Sequence, residues 1–193
     1  MAIYLGPNSG TNISTSTVGW VKILQVTGGS TISNITHDDL PSSTYRAINI
    51  IGAVNPSSDQ THLNFYFRNN GSDLVANKYA YAQSVSYPND SIYGESHQNE
   101  GRMSITQNGG NQSGEGQRFN LTYFPYVSGE AGNVQLFNWA FWHAIRIDGN
   151  RNFRGMSGTG WYDVNSQEVT GFRMQPTSGQ FNDYTYSIYG LVK

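Results

Sequence analysis

Cysteine is absent from the 193 residues, which excludes disulfide staples, thiolate metal sites and cysteine nucleophiles together. Charge is nearly as scarce. Charged residues make up 12% of the chain and the formal net charge is −2, so the basic field that binds nucleic acid or an anionic membrane surface is missing. No window approaches the ~20 apolar residues of a membrane-spanning helix. No segment keeps apolar residues at i, i+3, i+4 and i+7 through three turns, so helices are not expected either. The opening stretch Met1–Gly19 has no basic region followed by an apolar one and does not read as a secretory signal. The expectation is a chain made and folded in the cytoplasm.

What is abundant is aromatic residues and glycine: Tyr 13, Phe 9, Trp 4 and Gly 22. The rings and β-branched residues recur with period two, which is the mark of half-buried strands. His62–Arg68 is the clearest case, with Leu63, Phe65 and Phe67 facing in and His62, Asn64, Tyr66 and Arg68 facing out. Ile48 and Ile50 share a face in Tyr45–Val54, as do Phe119, Leu121 and Tyr123 in Arg118–Val127. Val21, Ile23 and Leu24 point a first strand toward the core, and Tyr79, Tyr81, Gln83 and Val85 alternate in another. Val134–Asp148 is apolar on both faces, which places it centrally in a covered sheet or at a contact between subunits. Asn70-Gly71 supplies the positive-φ pair of a tight hairpin.

Nine or ten strands without a helix predict an all-β, antiparallel β-sandwich of jelly-roll type. An extended N-terminal arm over residues 1–19, suited to strapping a neighbouring subunit, precedes the sandwich domain of residues 20–193. The Gly-, Asn- and Gln-rich stretch 92–117 reads as a long surface loop or loose hairpin around a short strand near 102–107.

Chemistry leaves little trace. The thirteen acids fall almost entirely in turns, and Glu95 with Glu100 is the one pair that suggests a glycosidase, against a loop position that disfavours burial. His37, His62, His97 and His143 show no metal-ligand spacing, and no nucleophile elbow, phosphate loop or dinucleotide fingerprint is present. Neither catalytic residues nor cofactor or metal sites are therefore expected. The aromatics are more numerous than one sandwich readily absorbs, so Tyr93, Trp142, Trp161 and Tyr162 stand as candidate ligand or interface residues.

Three stretches carry a resemblance: Ile32–Ile50 with its Leu40-Pro41 and Tyr45, Leu63–Asp73 followed by Tyr79-Ala80-Tyr81, and the terminal Tyr184–Lys193 with Tyr189-Gly190-Leu191. Across about residues 30–193 this order resembles small jelly-roll virion proteins of tailed bacteriophages. The resemblance implies a structural component of the virion that is usually a trimer, assembled in the host cytoplasm. A capsid decoration or cement protein bridging capsid subunits is the first expectation, with the major capsid protein or another virion protein as partner. A tail fibre or knob, or a carbohydrate-binding module that recognises host surface glycan, is the other.

Overall fold

Period-two alternation becomes strand throughout. The computed structural model describes residues 19–88, 91–112, 115–126, 137–147 and 152–193, and every regular element among them is a β-strand. They are β1 (Trp20–Gly28), β2 (Ile35–His37), β3 (Tyr45–Pro56), β4 (Leu63–Asn69), β5 (Ser72–Asp73), β6 (Tyr79–Ser86) and β7 (Ile92–Glu100). After these come β8 (Met103–Ser104), β9 (Gly116–Phe124), β10 (Asn138–Ile147), β11 (Phe153–Tyr162), β12 (Gly171–Pro176) and β13 (Phe181–Val192). An eight-stranded antiparallel sheet runs in the order β1-β13-β3-β9-β10-β11-β6-β7. The five-stranded antiparallel sheet is β2-β12-β4-β5, with β8 also on β4.

The two sheets share one core, the arrangement of a β-sandwich. Phe65, Phe67 and Phe172 of the smaller sheet meet Tyr123 of the larger at ring separations of 5.6–6.3 Å. Ile48, Ile50, Leu63, Phe65, Phe67, Leu121 and Tyr123 are completely buried, as alternation requires. In β1 the register shifts between Lys22 and Leu24. Ile23 is thus the extra residue of a bulge, and it packs on the core together with Leu24. The Asn70-Gly71 turn closes β4 onto β5 with φ of 47° and 80°, as a type I′ hairpin demands.

Several expectations need correction. Residues 92–117 are not one loop: β7 and β8 lie inside the stretch, and β9 begins in it. As an edge strand with a single neighbour, β7 keeps mostly exposed polar side chains, so it carries no apolar alternation to read. β11 runs from Phe153 to Tyr162 although its inward positions 158 and 160 are glycines, which leave no apolar alternation there to read. Asn64 and Tyr66 are buried although they alternate away from the core. Neighbours on β12 and beyond it cover them: Thr177 accepts from Asn64 Nδ2 at 3.2 Å, Gln175 Nε2 donates to the Tyr66 hydroxyl at 2.9 Å, and the Arg173 guanidinium lies 4.4 Å above the Tyr66 ring. The expected arm over residues 1–19 falls outside the described residues, save Gly19.

Candidate functional site

The two-faced strand resolves into two environments. Ala140, Trp142, Ala144 and Arg146 of β10 are buried on its inner side, while Trp139, Phe141, His143, Ile145 and Ile147 lie on the outer side. β10 is an interior strand between β9 and β11, so its outer side chains form a column down the middle of the larger sheet. Phe141 is 49% exposed and Ile145 42% exposed. Ile51 on β3 and Phe153 on β11 are likewise exposed and lie on the same face.

Register explains what surrounds the column. On β11, Gly155, Ser157 and Thr159 face Ile145, His143 and Phe141 in turn. Ser86, Ser84 and Ala82 of β6 continue the same rows. The result is a largely apolar column, interrupted by His143, beside a strip of small residues, with a concavity of about 710 Å3 over part of the face. Polar groups on the face are tied to each other. His143 Nδ1 and Ser157 Oγ are 2.9 Å apart, and Asn49 Nδ2 donates to Asn120 Oδ1 at 2.6 Å and to Thr122 Oγ1 at 2.8 Å. At one end Trp139 and Trp161 pack at 5.4 Å between ring centroids and 40° between planes.

Neither a protein-family model nor a curated protein matches this chain.

Of the four candidate aromatics, two leave the set. Trp142 is 1% exposed and Tyr162 3% exposed, because both alternate onto the inner face; Trp142 lies over Gly158 and Tyr162 packs 4.9 Å from Tyr79. Trp161 stays on the outer face, half-buried against Trp139. Tyr93 is exposed on β7, but its cross-strand partner is Val85, an inward residue. Trp161 pairs with Ala80 instead, so the two rings point to opposite sides of the sheet and sit about five residues, ~17 Å, apart along β6. They cannot stack on one sugar. Phe141, Ile145, Phe153 and Ile51 take their place, and the doubled apolar pattern of β10 was the signal for the first two.

Glu95 and Glu100 are held apart by an imidazole: His97 Nε2 lies 3.6 Å from Glu95 and Nδ1 lies 3.7 Å from Glu100. Gln83 and Gln107 both donate to Glu95 Oε1, and His97 stacks on Tyr81 at 4.6 Å. These contacts brace β7 on β6. Burial, with the two glutamates nearby, pushes the Tyr81 hydroxyl up to about 12. Burial also lowers His37 and His62 from their ordinary value. Among the described residues no group of three His, Asp or Glu side chains is placed to hold a metal ion.

Proposed function

We propose that this chain is a structural subunit of a tailed-bacteriophage virion, a jelly-roll-type sandwich that associates with copies of itself, as a trimer in the form the resemblance implies, and decorates the capsid. The observation that carries the reading is the sparsely charged, ring-rich outer face of the larger sheet, left exposed although the core is already filled. A chain that crosses repeatedly between its two sheets supports the jelly-roll connectivity. The absence of cysteine suits a protein that folds in a reducing compartment and persists outside it. Bridging capsid subunits, its burial energy would oppose their separation.

Quantitative gel densitometry of purified virions tests this. Hundreds of copies over the shell are expected, and a protein missing from particles ends the proposal. A handful of copies at the tail, with glycan binding that Trp161→Ala removes, favours the second reading. In that reading the Trp139–Trp161 pair recognises a host surface sugar.

A further inference from the structure

The outer face has relief as well as apolarity. Phe141 and Ile145 stand on β10 as a ridge, and one strand away Gly155 and Ser157 of β11, continued by Ser84 and Ser86 of β6, form a trough parallel to it. Ridge and trough are about 5–10 Å apart, the spacing of one to two strands. A surface that carries a ridge beside a trough of matching direction is complementary to itself. When a second copy is turned to face the first, its ridge falls on the first one's trough, and the reverse holds in a two-fold pair.

Charge and size point to the same occupant. Among the described outward positions of β3, β9, β10, β11 and β6, Arg118 is the one permanently charged side chain. A face without a charge pattern has nothing with which to select an oppositely charged stranger, whereas a copy of itself needs none. Five strands about 4.8 Å apart and roughly 30 Å long give a footprint of roughly 700 Å2 per copy, close to the ~800 Å2 per partner of a stable interface.

We propose that copies of this chain meet through the outer face of the eight-stranded sheet, the β10 ridge of one seated in the β11–β6 trough of the next. This rests on reading the chain as a self-associating subunit, and it names the surface. The contact buries Phe141 and Ile145, and the small residues of the trough are what let two sheets approach at that point.

Sedimentation velocity of the full chain at micromolar concentration tests the assignment. Ile145→Glu places a charge on the ridge, and Ser84→Trp fills the trough. Each is expected to weaken association at least about tenfold, while Val75→Glu, an exposed apolar position off this face, leaves it unchanged. Far-UV circular dichroism reports whether each variant keeps its strands, and Phe141→Glu stands in should Ile145→Glu misfold. An oligomer that survives both the ridge and the trough variants overturns the assigned face and leaves self-association standing. Dissociation by the ridge variant alone overturns the ridge-in-trough fit. A wild-type chain that sediments as a monomer overturns the face and the self-associating reading together.

Discussion

Trp142 fills the inner face of β10 because position 158 opposite it has no side chain. A Cβ on Gly158 would overlap the Trp142 indole, and one on Gly160 would sit 2.5 Å from Met103 Sδ and 2.8 Å from Tyr81 Cβ. These two glycines are spaces that large neighbours occupy, and their value lies in packing rather than in backbone freedom. Gly158→Ala is expected to displace the indole and lower stability by about 1–3 kcal/mol, the usual cost of overpacking a filled core. Urea denaturation measures it, and an unchanged midpoint would mean that Trp142 has room to move. The same logic made the pair hard to read in advance. Tryptophan looks like a binding residue and glycine like a strand breaker, and only their cross-strand register shows that each explains the other.

At the scale of elements, the β4–β5 hairpin shows sequence and tertiary contacts acting together. Asn70-Gly71 turns the chain, and the position of the hairpin is then held by charges. Arg68 binds Asp38 at 2.7 Å and also pairs with Asp73, which in turn pairs with Arg173 of β12. All of these side chains are at least partly buried, and the hydrogen bond that Arg68 donates to Asp38 raises the guanidinium pKa above its ordinary value. Asp73→Asn removes the charge shared by two arginines and is expected to cost about 1.5–3 kcal/mol, the range for hydrogen bonds to charged groups. Hydrogen exchange should show β5 amides losing protection while the core of β4 keeps it; equal loss in both would mean that the network holds the sheet rather than the hairpin. The turn was legible because Asn-Gly is a local signal. The bridges were not, because Asp38, Asp73 and Arg173 are distant in the chain. β4 itself was half legible: its inner residues alternate as expected, whereas burial of Asn64 and Tyr66 depends on what β12 lays across them. β7 was illegible for the opposite reason, since an edge strand exposes its side chains and needs no apolar pattern.

At the scale of the molecule, the sheets are tied by a contact that titrates. His37 on β2 of the smaller sheet meets the Tyr186 hydroxyl on β13 of the larger at 2.9 Å. Burial lowers the His37 pKa, against the opposing pull of Asp38 and Asp39, and burial lowers that of His62 as well. Below the ordinary value of 6.5 the unfolded chain takes up protons that these two folded imidazoles still refuse, so stability falls as pH drops through that value. It is complete above it. Denaturation midpoints should be level at neutral and mildly alkaline pH and decline on the acid side, with His37→Gln flattening part of the decline. A midpoint that stays constant as pH falls through this window would show that neither imidazole is held neutral by the fold.

The sequence alone determined that this is an all-β protein, which residues alternate onto the core in most of its strands, and where its tightest hairpin turns. Those properties are local: period-two patterning and positive-φ turn residues act within a few positions of themselves. Only the tertiary structure decided which aromatic rings face outward together. Whether Trp142 is core or surface, whether Trp161 and Tyr93 share a side, and whether Phe141 and Ile145 stand beside a trough all depend on strand register and order between segments far apart in the chain. Shifting a strand by one residue exchanges its faces, and that register is set by the packing of the whole sandwich.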